Sequence, residues 1–131
     1  MSINIVLIGA GEVGFNLAKV ISKENYDLTV IDIDKQRCNR IQNTIDARVI
    51  QGNGCSQQIL QKIDFKNVDY FLSLARIDEV NLVASRIAKK LGAKKVITRL
   101  RNTEYIHSDA IVTPSEFGID HVIYPEKSAH F

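Results

Sequence analysis

A chain of 131 residues, 45% hydrophobic and 24% charged, is long enough to bury an apolar core and too apolar to remain disordered. Its 17 basic and 15 acidic residues are interspersed and leave a net charge of only +2, which argues against a nucleic-acid partner. Cys38 and Cys55 lack C-x-x-C or Cys/His spacing, which argues against a disulfide framework and a zinc site, and no signal peptide or membrane-length apolar run is visible, so a cytoplasmic protein is expected.

Short β-branched runs alternate with helical patterns along the chain, the signature of βαβ units in a parallel sheet. Six strands are predicted, at residues 3–8, 28–32, 47–51, 69–74, 95–99 and 120–124, joined by right-handed crossovers into one doubly wound α/β domain. The first helix carries Val13, Leu17, Ala18 and Ile21 at core spacing. The fourth carries Val80, Val83, Ala84, Ile87, Ala88 and Leu91. Asp34, Ser56 and Asp78 are placed to cap the second, third and fourth helices, and Gly92 and Gly118 to end helices. A fifth helical segment from Thr103 to Phe117 is interrupted by Thr113-Pro114. The lysines at 89, 90, 94 and 95 fit the negative end of a helix dipole.

The first strand runs directly into Gly9-Ala10-Gly11-Glu12-Val13-Gly14. In such a turn Gly9 permits the tight bend, Gly11 lets the backbone approach a pyrophosphate and Gly14 lets the new helix pack closely. Unpaired N–H groups at the helix start then face the phosphates. The second strand ends in Asp32, about 20 residues on, where a carboxylate accepts hydrogen bonds from the adenosine ribose. Together these features predict a Rossmann-type sheet with its ligand beyond the strands' carboxyl ends. Each strand's exit loop is therefore a candidate. After strand three, Gly52 and Gly54 allow positive dihedrals and close approach of an adenine, with Asn53 as an edge contact, although a plain tight turn explains them equally. After strand four, Ala75 leaves room for a ribose and Arg76 meets phosphate or solvent. Strand five ends in Arg99 and Arg101, which share a sheet face only if the strand continues through both; Arg99 is favoured for the ligand side. The histidines at 107, 121 and 130 form no triad, and Cys55 lies in a loop beside the expected nucleotide site, where a plain loop Cys is the favoured reading.

The segments Gly9 to Gly14, Val30-Ile31-Asp32-Ile33-Asp34, Val49 to Gly54, Asp78-Glu79-Val80-Asn81 and Val96-Ile97-Thr98-Arg99-Leu100-Arg101-Asn102-Thr103-Glu104-Tyr105 together resemble one family. It is the N-terminal nucleotide-binding domain of TrkA proteins, also called the RCK or KTN domain, and the resemblance covers residues 3 to about 126. It implies a non-enzymatic regulatory subunit of bacterial potassium transport, peripheral on the inner face of the cell membrane and docked on an integral-membrane potassium translocation subunit. It also implies a homo-oligomer, a dimer or larger, and Tyr124 and Phe131 near the chain's end are candidate interface residues. The family's ligand positions fall on Gly9 to Val13, Asp32, Ala75, Arg76 and Arg99, and its members bind NAD(H) or ATP/ADP.

Two departures bear on the ligand. ATP-responsive relatives carry Arg inside the glycine loop where this chain has Glu12, and many members have Asp where it has Asn53. A carboxylate beside the phosphates repels a triphosphate, so NAD(H) is expected over ATP, and Asp32 is expected to reject the 2′-phosphate of NADP. Full-length relatives carry a further C-terminal ligand-sensing domain, expected to be absent from this chain. The alternative functions are the cofactor domain of an NAD-dependent oxidoreductase, for which acid/base groups near the nicotinamide are missing, and a methyltransferase, which needs more chain for its substrate.

Overall fold

The computed structural model describes residues 2–124. Six strands form one parallel sheet: β1 (Ile3–Ile8), β2 (Tyr26–Asp32), β3 (Arg48–Gln51), β4 (Tyr70–Ser73), β5 (Lys95–Arg99) and β6 (His121–Ile123). Their spatial order is β3-β2-β1-β4-β5-β6, so the winding reverses between β1 and β4. Helices α1 (Glu12–Ser22), α2 (Lys35–Thr44), α3 (Gln57–Leu60) and α4 (Asp78–Leu91) cover the two faces. The predicted strands are all present, with β2 beginning at Tyr26, ahead of the expected start.

Strand periodicity divides the core. In β1, Ile5 and Leu7 point to one face and Val6 and Ile8 to the other. Ile5 and Leu7 pack with Phe15, Ala18 and Ile21 of α1 and Ile41 of α2. Val6 and Ile8 pack with Leu60, Phe65, Phe71 and the Leu82, Ala84 and Ala88 stripe of α4. A sheet buried on both faces accounts for strands that read as near-continuous apolar runs.

Four local expectations need correction. Val13 is 37% exposed and Val83 44%; Gly14 sits against the β1 turn, which orients α1 so that residues 14, 18 and 21 face inward together with Phe15, absent from the predicted stripe. Asp78 does not cap α4, because Ile77 occupies the N-cap position and Asp78 is the first helical residue. The segment from 103 to 117 forms no crossover helix but two 3₁₀ turns, Thr103–Ile106 and Pro114–Phe117. Thr113 and Glu116 form a capping box that starts the second turn with Pro114 just inside it, and Gly118 ends it at φ 75°. Finally, Tyr124, expected as an exposed apolar position for an interface, is partly buried against the core; Phe131 and His130 lie outside the described residues.

The other caps form as expected. Asp34 accepts from Arg37 N at 2.9 Å, Ser56 from Ile59 N at 3.4 Å, and Gly92 ends α4 at φ 115°. Lys89 and Lys90 occupy the last turn of α4, with Lys89 bound to Asp120 at 2.8 Å and Lys94 to Asp69 at 3.1 Å. No described helix is long and apolar enough to cross a membrane.

Candidate functional site

A cavity of about 770 Å³ opens at the carboxyl ends of β1, β2, β4 and β5, across the point where strand order reverses. Of the predicted site residues, Gly9, Gly11, Glu12, Val13, Gly14, Asp32, Asn53, Gly54, Ala75, Arg76 and Arg99 all line it. Ala10, buried within the loop, does not, and neither does Gly52. A smaller cavity of about 560 Å³ lies at the opposite end of the strands and collects none of these residues.

The three fingerprint glycines have separate physical reasons. Gly9 turns the chain at φ 97°, and its N–H donates to Ile31 O at 2.9 Å. A Cβ on Gly14 would lie 1.8 Å from Gly9 O, so the first turn of α1 approaches the loop only because residue 14 has no side chain. A Cβ on Gly11 would meet nothing within 4 Å, since it faces open space at the start of α1. Glu12 and Val13 follow in that first turn, both exposed, where backbone N–H groups have no helical partner.

Asp32 is 6% exposed, and its carboxylate is already engaged. Oδ2 accepts from Ala10 N at 2.6 Å and Oδ1 from Asp34 N at 2.8 Å, so the acid pins the glycine loop to the end of β2. A carboxylate oxygen has more than one acceptor direction, so capacity for ribose hydroxyls remains. Arg37, not anticipated from sequence, lines the cavity with its guanidinium 4.0 Å from Asp32 Oδ2. Its place three residues past the Asp34 cap, at the mouth of a ligand crevice, was the available signal. Cys38 Sγ donates to Asp32 O at 3.3 Å; burial, reinforced by the Asp32 charge, pushes its thiol pKa up.

The glycines after β3 serve packing. Neither Gly52 nor Gly54 has a positive φ, contrary to the expectation. A Cβ on Gly52 would lie 2.3 Å from Ile59 Cδ1, and one on Gly54 2.4 Å from Ile8 Cγ2. Asn53 Oδ1 accepts from Cys55 N at 3.0 Å and Cys55 Sγ at 3.1 Å, holding the turn at the cavity edge.

On the other side, β5 ends at Arg99, and the chain turns there, so Arg101 does not join Arg99 in the cavity. The turn is held by Asp78, whose two oxygens accept from Arg101 N and Asn102 N, each at 2.9 Å. Asn81, 0% exposed, bonds Ser73 Oγ, Ala75 N, Ala75 O and Arg99 O. Tyr105 donates to Glu79 at 3.3 Å; burial and then the Glu79 charge raise its phenol pKa. The segment Arg99 to Tyr105 is therefore built directly on the segment Asp78 to Asn81. The sequence pattern marks Asp78 only as a helix cap and assigns Asn81 no partner, because the groups both residues bind arrive from β4 and β5. His107 and His121 are exposed and outside the cavity. Among the described residues, no group of three or more His, Cys, Asp or Glu side chains is placed to hold a metal ion.

The reversed strand order, the glycine turn and the acid closing β2 define a doubly wound domain of the Rossmann type with its crevice at the β1/β4 switch point. More narrowly, the chain belongs to the TrkA-N domain family, whose model matches residues 5–125. A Trk system potassium uptake protein TrkA homolog of Archaeoglobus fulgidus is 39% identical over 124 residues, covering 95% of this chain and 28% of the relative. The TrkA homolog of Methanothermobacter thermautotrophicus is 33% identical over 125 residues, covering 95% of this chain and 56% of the relative. The chain thus spans only part of the length of these relatives. Among solved structures, the TrkA-N domain of the inner membrane protein ybaL from Escherichia coli superposes with a TM-score of 0.81 at 18% identity, covering 99% of this chain and 93% of that one. The GsuK channel bound to NAD superposes with a TM-score of 0.77 at 12% identity, covering 94% of this chain and 21% of that one. At such identities the likeness is one of fold.

Proposed function

We propose that this chain is a non-enzymatic NAD(H)-binding regulatory domain that controls a membrane potassium transporter from its cytoplasmic face. One observation carries the nucleotide reading: a single crevice joins the open backbone at Gly11, the carboxylate of Asp32 and the exit loops of β4 and β5. Space over Gly11 that a Cβ would fill, beside the partial positive charge of a helix start, suits a pyrophosphate. Asp32 suits an unphosphorylated ribose and repels a 2′-phosphate. Glu12 at the phosphate end of the crevice disfavours a triphosphate by like-charge repulsion.

The transport reading draws on the relatives named as Trk potassium uptake proteins. In this reading the domain self-associates, as a dimer or larger, on an integral-membrane potassium translocation subunit. Nucleotide regulates transport only if it binds two arrangements of the assembly with different free energies, because equal affinity shifts no equilibrium. Calorimetric titration with NADH, NADPH, ATP and ADP tests the ligand. NADH is expected to bind tightest, and tighter ATP or ADP binding refutes the dinucleotide assignment. Potassium uptake by cells expressing the transporter with wild-type or Gly11→Ala protein tests the regulation, which fails if the two behave alike.

A further inference from the structure

At the start of α4, Ile77 and Val80 line the cavity, whereas the polar side chains of Asp78 and Asn81 support it from behind. The buried Asn81 amide uses both of its ends: Oδ1 accepts from Ser73 Oγ and Ala75 N, and Nδ2 donates to Ala75 O and Arg99 O, all at 2.9 Å. One side chain thereby clamps two neighbouring strand exits, those of β4 and β5. Asp78, less than a turn earlier, takes Arg101 N and Asn102 N and bends the chain away just past Arg99. Ala75 and Arg99 line the cavity, whereas Asn81 and Asp78 do not. Behind them, Ser85 Oγ donates to Asn81 O at 2.7 Å and bonds Thr98 Oγ1 at 2.6 Å, fixing the helix to β5.

The two halves of the crevice are braced by different parts. On the Asp32 half, the bracing carboxylate itself lines the cavity. On the Arg99 half, the backbone of the lining residues is held from behind by an amide. That position demands a group able to donate and accept at once, because Ala75 presents both its N–H and its carbonyl while Arg99 presents a carbonyl.

We propose that Asn81, assisted by Asp78, is the positioning residue for the half of the site that receives the second nucleotide of a dinucleotide. The inference rests on the nucleotide reading above. Adenosine seated on Asp32 leaves the β4 and β5 exits to the other nucleotide, so a disturbed bracket weakens a dinucleotide selectively and spares a mononucleotide held on the Asp32 half.

Asn81→Asp is nearly isosteric but points acceptors at Ala75 O and Arg99 O. Asp78→Asn keeps one acceptor for two N–H groups. Each variant, confirmed folded by circular dichroism at the titration temperature, is titrated with NADH and with AMP. Asn81→Asp is expected to weaken NADH by about tenfold or more and to leave AMP within about twofold, the loss expected when buried hydrogen-bonding groups go unmet near one half only. Asp78→Asn is expected to shift NADH the same way by a smaller factor. Equal weakening of both ligands, or no change in either, overturns the positioning role. If Asn81→Asp does not fold, the NADH/AMP split in Asp78→Asn decides alone. Wild-type protein that binds neither ligand overturns the nucleotide reading and this inference with it, whereas wild-type binding without the split overturns this inference only.

Discussion

Replacing Gly11 by Ala separates the stability of the fold from the use of its cavity. Gly11 precedes α1 at φ −70° and ψ −163°, an extended conformation open to any residue. A Cβ there meets no atom within 4 Å, so the folded state gains no clash. The unfolded chain meanwhile loses freedom, worth about 0.4–1 kcal/mol, which offsets a loss of about the same size for Ala in place of Gly at a helix N-cap, so ligand-free stability should change by less than about 1 kcal/mol. For a domain of this length the melting temperature then moves by less than about 4 °C. The methyl group nonetheless fills the open space over Gly11 in which the proposed function seats a pyrophosphate against the N–H groups of α1. Losing one charge-assisted hydrogen bond, worth about 1.5–3 kcal/mol, lowers nucleotide affinity by about 10- to 100-fold. Thermal unfolding of ligand-free protein and calorimetry with NADH read the two effects separately. A melting temperature several degrees lower refutes the packing argument, and unchanged affinity in a protein that binds NADH refutes the location of the phosphates.

Gly14→Ala should cost stability outright, because its Cβ would lie 1.8 Å from Gly9 O and the helix must retreat from the loop; urea unfolding should show a loss of about 3 kcal/mol or more. Asp120 is held below the usual carboxylate range: burial raises its pKa, but hydrogen bonds from Lys89 and Val96 N and the charges of Lys89 and Lys95 outweigh it. Its contribution is therefore present above the unfolded pKa and lost as pH falls through the lower folded value. Asp120→Asn should destabilise by about 1 kcal/mol at pH 7, and the difference from wild type should close below about pH 4 in acid unfolding curves. Alkylation by iodoacetamide at pH 8, followed by peptide mapping, should label Cys55 in folded protein and Cys38 only on unfolding, since Cys38 is buried with its thiol pKa raised.

Most of the framework was legible because it is written in local patterns. Continuous apolar runs marked the strands, Asp34 and Ser56 marked helix starts, and the spacing from Gly9 to Asp32 located the crevice. What escaped depended on partners remote in sequence. Asn81 sits beside the apolar stripe of α4, and its spacing alone does not show that Ala75 and Arg99 close around it. Asp78 reads as a cap until the backbone of Arg101 and Asn102 arrives from β5. Gly52 and Gly54 suggested unusual dihedrals, but the demand on them is steric and comes from Ile59 and Ile8. The stretch from Thr103 to Phe117 had helical spacing, and Pro114 with its capping box divided it into separate short turns.

On the dinucleotide reading proposed above, the hydrogen bond from Ala10 N to Asp32 makes cofactor preference costly to change. A lineage drifting towards a 2′-phosphorylated dinucleotide would ordinarily exchange the acid at the end of the second strand for a small or basic residue. Here that exchange also unpins the glycine turn and leaves a buried N–H without its acceptor. Selection must then pass through a loosened intermediate, or first supply Ala10 with another acceptor, so ligand choice and structural integrity are inherited together.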